Sequence, residues 1–115
     1  MSTRARINYM ARLYRKRYPE KFKGYRLKKD YGITLDKYNK MAAKQNNKCA
    51  LCNLPEKALD SRTKQIKNLA VDHDHITSKV RGLLCWRCNT GIGKLKDSPR
   101  LLVKAANYIK KHRKN

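Results

Sequence analysis

The sequence predicts an α+β fold, a small and mainly helical domain built around a zinc-stapled β-hairpin with a helix after it. Three observations lead there. The four cysteines fall into two C-x2-C pairs, Cys49–Cys52 and Cys85–Cys88. Between the pairs, two short apolar runs flank a polar turn. Outside the pairs, apolar residues recur at helical spacing on both sides. A chain of 115 residues forms one domain with a thin core, burying about 60–65% of its unfolded surface, so a metal staple adds needed stability.

The elements follow in order. Residues 3–18 form a helix, with Ile7, Met10, Leu13 and Tyr14 at helical spacing, and Pro19 ends or bends it. Residues 20–30 form a second short helix that closes near Tyr31-Gly32. Thr34 caps a third, 34–46, whose face carries Leu35, Tyr38, Met41, Ala42 and Gln45. The stretch 53–67 is polar and is expected to be an irregular loop. Residues 68–75 and 80–84 are strands joined by a turn at 76–79, together a hairpin. A helix runs from about Trp86 to Leu95. Ser98-Pro99 then opens a last helix to about Lys111, with Leu101, Leu102, Ala105, Tyr108 and Ile109 as its buried face. No internal repeat is evident. The division expected within one compact domain is a basic helical segment 1–48, a stapled core 49–97 and a C-terminal helix 98–115 packed on that core.

Charge points to the partner. Thirty Lys and Arg against eight Asp and Glu give a net +22, spread along the whole chain and not gathered in a tail. Self-repulsion on that scale costs stability, and a polyanion laid across the surface offsets it. Nucleic acid is therefore the expected partner. No run approaches the roughly 20 apolar residues of a membrane span. The Arg-rich start lacks the apolar stretch of a secretory signal, so a cytoplasmic setting is expected.

Two C-x2-C knuckles supply four thiolates, the donor set of a closed tetrahedral structural zinc site. Two disulfides would need an oxidising compartment, and a redox C-x-x-C would need a thioredoxin-like βαβ pattern. The spacer 53–84 is longer than the roughly 15–20 residues of many zinc ribbons, and it holds the hairpin.

Inside that frame lies Val71-Asp72-His73-Asp74-His75, and Asn89 follows the last cysteine directly. A carboxylate with an amide oxygen suits a hard divalent ion such as Mg²⁺, which keeps several waters. A neutral imidazole beside it can take a proton from water. Phosphodiester cleavage needs that pair of functions. A further zinc site or plain DNA contacts are the alternative use of His73 and His75.

The combined pattern resembles the phage recombination endonuclease VII family, within the HNH or ββα-metal (His-Me finger) nucleases. The residues that carry it are C-A-L-C at 49–52, V-D-H-D-H at 71–75, V-R-G-L-L-C at 80–85 and W-R-C-N at 86–89. Y-G-I-T-L-D-K-Y at 31–38 and the segment from Gly93 to Ala106 also fit, for a coverage of about 25–110. The resemblance implies that Asp72 and Asn89 hold a catalytic Mg²⁺ or Mn²⁺, that His73 is the general base and that His75 assists beside the scissile phosphate. It implies structural zinc on Cys49, Cys52, Cys85 and Cys88, a DNA substrate, double-stranded or branched, and 5′-phosphate with 3′-hydroxyl products. Lys79, Arg81, Arg15 and Arg17 are the expected nucleic-acid contacts, with a salt bridge from Arg81 to Asp72 or Asp74 as the structural alternative. Ile92 stands where some members carry an acid one turn after the Asn. The residues after Asn89 are fewer than the junction-resolving member uses for dimerisation and its C-terminal region, which counts against four-way junction resolution without removing branched DNA from the expected substrates; a homodimer is left open. The competing function is a non-catalytic zinc-stapled DNA- or RNA-binding module. An RNA nuclease ranks last, because no sheet of exposed aromatics is evident.

Overall fold

A computed structural model describes residues 2–113. Its elements are α1 (Thr3–Arg17), α2 (Pro19–Tyr31), α3 (Leu35–Lys44), β1 (Ala70–His73), β2 (Val80–Leu84), α4 (Trp86–Lys94) and α5 (Pro99–His112). The α+β class and the order of elements are as the sequence predicts. Contacts divide the chain into two units, Met1–Ala43 and Lys44–Asn115.

In the first unit, the Ser2 hydroxyl caps α1 by accepting the Ala5 N–H at 3.1 Å. Pro19 has no N–H to continue that helix, and Tyr18 before it leaves helical geometry. Pro19 instead becomes the first turn of α2, which packs on α1. The chain leaves α2 through Gly32, whose φ of +71° is left-handed and whose N–H returns to the Leu27 and Lys28 carbonyls. Thr34 caps α3 as expected, accepting the Lys37 N–H at 3.1 Å. Leu27, Ile33 and Tyr38 are buried, whereas α1 buries none of its residues.

The second unit is built on the antiparallel pair β1–β2, in register Ala70↔Leu84, Val71↔Leu83, Asp72↔Gly82 and His73↔Val80. The jump from Gly82 to Val80 leaves Arg81 as the extra residue of a β-bulge. Leu69, Val71, Leu83, Leu84, Cys49 and Cys85 form the core, and Leu83 has no exposed surface. The open edge of β2 is closed by a side chain: the Gln45 amide donates to the Leu83 carbonyl at 2.9 Å and accepts the Leu83 N–H at 3.1 Å. Gln45 also donates to the Lys48 carbonyl at 2.9 Å, and the Ala50 N–H reaches the Leu83 carbonyl at 3.0 Å. A two-stranded sheet is marginal alone, and this amide acts as a fragment of third strand.

β1 is shorter than the predicted 68–75 because Asp74 already belongs to the turn. Its N–H pairs with the Lys79 carbonyl, its carbonyl takes the Ser78 N–H, and its Oδ1 accepts from Ile76 and Thr77. The Thr77 hydroxyl accepts the Lys79 N–H, and Ser78 takes the left-handed φ of 63°. The same pattern recurs at Asp60–Gln65, residue for residue, with Lys64 at φ 60° and a bridge between Leu59 and Ile66. The segment 53–67 is therefore not a plain loop but carries a second tight hairpin. The repeat is one of turn chemistry, D-S-R-T-K-Q and D-H-I-T-S-K, in which an Asp satisfies backbone donors from within the turn.

α4 packs on β1. Between α4 and α5, Lys96 and Asp97 both have positive φ, 59° and 53°. Ser98 then caps α5, accepting the Leu101 N–H at 3.2 Å. The buried face expected for α5 is only partly realised. Leu102 and Ala105 are half-buried, and Leu101, Tyr108 and Ile109 remain exposed. An amphipathic stripe records a capacity for burial, and a two-stranded sheet is too small to cover it all.

Candidate functional site

The cysteines converge. One ligand atom from each of Cys49, Cys52, Cys85 and Cys88 lies within 4.8 Å of the others, and Cys52 Sγ and Cys85 Sγ are 3.9 Å apart. Zinc–sulfur bonds of about 2.3 Å in a tetrahedron give sulfurs about 3.8 Å apart, so the donor set and spacing fit a metal ion of that kind. Each knuckle is shaped by its own backbone. The Cys49 N–H bonds the Leu54 carbonyl, Asn53 turns back at φ 59° to the Cys49 carbonyl, and the Leu51 N–H points at Cys49 Sγ. Cys85 is the N-cap of α4, its sulfur accepting the Cys88 N–H at 3.4 Å. The surroundings split the thiols. Burial raises Cys49, but the N–H groups of Cys52, Cys85 and Leu51 outweigh it and bring this thiol down to about 6. Burial and the neighbouring sulfurs push Cys88 up to about 12. Four thiolates at this distance repel one another, and a dication relieves that repulsion.

Sequence reasoning missed the residue that ties the frame together. Glu56 accepts the N–H groups of Lys57 and Ala58 with Oε1, and the Trp86 N–H with Oε2 at 2.5 Å. A carboxylate thus sits on the N-terminus of α4, where the helix dipole favours it, and holds the first knuckle's loop against the second. Only the isolated acid in N-L-P-E-K signalled it.

Beside the staple, Asp72 is the buried charged residue of β1. Arg81 reaches it from the bulge, with Nε to Oδ2 at 2.7 Å and Nη2 to Oδ1 at 2.9 Å. The same guanidinium binds Asp97, Nη1 to Oδ2 at 3.1 Å and Nη2 to Oδ1 at 2.9 Å. Hydrogen bonds from Arg81 to Asp72 first, then to Asp97, raise the guanidinium pKa, so Arg81 stays charged. Of the two salt-bridge partners considered from sequence, Asp72 is the one Arg81 meets; Asp97 was not anticipated. Asp74 is instead engaged by its turn, and the Ile76 and Thr77 N–H groups hold its carboxyl below the usual range.

His73 ends β1 half-buried, and exposed His75 follows, with the two rings 4.8 Å apart and tilted by 55°. Asn89 lies half-buried in the first turn of α4, its N–H bonded to the Cys85 carbonyl at 2.9 Å. Ile92, one turn on and so on the same helix face, lines a cavity of about 220 Å³ together with Asp72 and Arg81. Asn89 itself is not among the residues that line this cavity. A Cβ added at Gly91 or Gly93 would meet nothing within 4 Å, so packing within the chain does not require these glycines.

Of the other expected contacts, Lys79 is exposed at the end of the hairpin turn. Arg15 and Arg17 belong to α1 in the other unit, where Arg15 lies 5.3 Å over the Phe22 ring and Arg17 5.8 Å over Tyr18. Among the described residues, no helix is long and apolar enough to cross a membrane.

Comparison with known proteins gives the family. The sequence pattern of the recombination endonuclease VII family matches residues 24–111. The Gene 59 protein of Mycobacterium phage D29 is 40% identical over 82 residues, and that of Mycobacterium phage L5 is 38% identical over 80. The matched segments cover 70% and 69% of this chain but 46% and 44% of those proteins, so the chain spans just under half the length of these relatives. No solved structure matches it. Both cysteine pairs, the hairpin between them and α4 fall inside the matched region, and the chain belongs to the recombination endonuclease VII family.

Proposed function

We propose that this chain is a divalent-metal-dependent DNA endonuclease of the HNH, or ββα-metal (His-Me finger), type. It hydrolyses phosphodiesters to 5′-phosphate and 3′-hydroxyl ends. The observation that carries the reading is the grouping of His73, His75 and Asp72 at one end of a hairpin whose other strand runs into the thiolate centre and α4. Membership of the recombination endonuclease VII family supports a nuclease reading, and the +22 net charge suits a polyanionic substrate.

The chemistry asked of the chain is simple. The neutral imidazole of His73 takes a proton from water, whose oxygen attacks phosphorus. The bond from phosphorus to the 3′ oxygen breaks, that oxygen takes a proton from a solvent water, and His73 later returns its own proton to solvent. His75, in ring contact with His73, steadies the imidazole or the phosphate beside it. A catalytic ion fits the donor set. The Asp72 carboxylate gives one hydrogen bond site per oxygen to Arg81 and has about four in all, and the Asn89 amide oxygen is a hard neutral donor. Asp72 and Asn89 would hold Mg²⁺ or Mn²⁺, which supplies charge to offset that developing on the phosphate and the leaving oxygen. Ile92 in place of an acid leaves that site with few protein ligands, as Mg²⁺ accepts. The four cysteines hold structural zinc.

One site cuts one strand, so a monomer nicks and a homodimer cuts both. The relatives named above are phage proteins, and the host cytoplasm is the setting proposed. The double hold of Arg81 on Asp72 favours a second reading, a non-catalytic zinc-stapled module that binds DNA or RNA. Incubation with supercoiled plasmid, with and without Mg²⁺, separates the two. Metal-dependent nicking with 5′-phosphate ends is expected; binding without any nicking would leave the second reading.

A further inference from the structure

We propose that Asp97 occupies, on Arg81, the place of a DNA phosphate, and that Arg81 takes its substrate by exchanging Asp97 for a phosphodiester while keeping hold of Asp72. The proposal rests on the DNA-cleaving reading of the site. Arg81 spends its donors on two carboxylates at once. Nε and Nη2 serve Asp72 at 2.7 and 2.9 Å, and Nη1 and Nη2 serve Asp97 at 3.1 and 2.9 Å. The second pair is the fork with which a guanidinium receives either a carboxylate or a phosphate, since both offer two oxygens at matching spacing.

The surroundings decide which carboxylate yields. The Asp72 side chain is 11% exposed and belongs to β1; parting it from Arg81 would leave a buried charge unpaired. The Asp97 side chain is 18% exposed and sits in the link between α4 and α5. Both Lys96 and Asp97 there have positive φ, a conformation unfavourable for L-residues, and the Asp97 N–H is bonded to the Ile92 carbonyl. The strained link thus presents the carboxylate to the outer side of the guanidinium, which is itself 36% exposed. A chain with eight acids against thirty bases has placed one of those acids on the arginine beside its candidate cleavage site. As a phosphate surrogate, that acid orients the arginine before DNA arrives, and a phosphodiester replaces it without a change of geometry.

The test is DNA binding by the zinc-loaded protein without Mg²⁺, read by fluorescence anisotropy with a labelled duplex across a salt series. Asp97→Asn keeps size and tolerates the left-handed backbone. It should tighten binding several-fold, with the slope of log K against log salt steeper by ~0.9, one phosphate's worth. Asp36→Asn, at an exposed acid of α3, reads the general effect of losing one negative charge and should leave that slope unchanged. With Arg81→Gln or, to keep a charge without the fork, Arg81→Lys, the Asp97→Asn gain should fall to the Asp36→Asn level. An unchanged slope in Asp97→Asn, or an equal gain with and without Arg81, would overturn the proposal. Plasmid nicking without an Asp97 effect would remove the exchange and keep the nuclease. An Asp97 effect without nicking would do the reverse.

Discussion

His73 and Asn89 serve different ends under the proposed mechanism, and substitution separates them. His73→Ala should reduce nicking by ~10²–10⁴-fold, the usual contribution of a positioned general base, with DNA affinity unchanged. Affinity lost in step with activity would make His73 a binding residue. Asn89→Ala removes a ligand and not the base, so high Mg²⁺ or Mn²⁺ should restore part of the activity there and none in His73→Ala. Asp74, between the two histidines, has a turn to hold. Its carboxyl lies below the usual range because the Ile76 and Thr77 N–H groups favour the charged form, and Thr63 and Arg62 do the same for Asp60. A depressed folded value adds stability above the ordinary carboxylate range and loses it as pH falls through the folded value. Both turns should therefore hold at neutral pH and loosen below about pH 3.9, seen as faster amide exchange at Ile76 and Arg62 in acid. Asp74→Asn keeps the accepting oxygen and should remove that acid step while preserving the turn. The D-H-D-H run was legible as chemistry in the sequence. That its second Asp is spent on backbone donors was not, because turn and metal-ligand roles use the same carboxylate.

At the scale of elements, the hairpin is held by a side-chain amide and by the thiolate centre, and each can be withdrawn. Gln45→Leu leaves the Leu83 N–H without its side-chain acceptor and should cost about 1–3 kcal/mol in chemical denaturation. An unchanged midpoint would mean that water replaces the amide. The thiolate centre is worth more. Structural zinc in small domains contributes an apparent ~10–16 kcal/mol at pH 7, nearly all of it folding free energy. Cys85→Ser should abolish both metal content and cooperative melting, and a metal-free protein with an unchanged melting curve would rule out the structural role. The thiols also set a sign for pH. Cys88, pushed up to about 12, still carries its proton at neutral pH before a cation binds, whereas Cys49, brought down to about 6, does not. Metal uptake at pH 7 should release protons, and affinity should fall on acidification, most steeply below about 6. Titration calorimetry in buffers of different ionisation enthalpy reads this directly. The cysteine pairs and the strand boundaries of β2 were readable from spacing and from alternation. Gln45 was not, since periodicity put it on the apolar face of an expected helix 34–46, whereas α3 ends at Lys44 and the partner of Gln45 lies on β2.

For the whole molecule, charge sets the expected behaviour with DNA. If about 6–8 phosphates are neutralised, log K should fall with log salt at a slope of about −5 to −7. Replacing Arg15 and Arg17 together should flatten that slope if α1 lies on DNA. Both arginines also sit over aromatic rings of their own unit, so an unchanged slope would assign them to scaffold.

What the sequence determined by itself was local or additive. Caps at Ser98 and Thr34, the break at Pro19, the left-handed exit at Gly32 and the C-x2-C pairs all act within a few residues, and net charge is a sum over the chain. What only the tertiary structure decided was pairing over distance. Arg81 chose Asp72 and Asp97 over Asp74 because a bulge turned it toward them, and Glu56 reached Trp86 because the staple brings the two knuckles together. α5 left part of its apolar stripe in solvent for a related reason. Periodicity states what a helix can bury, and the surface available to cover it depends on the rest of the fold.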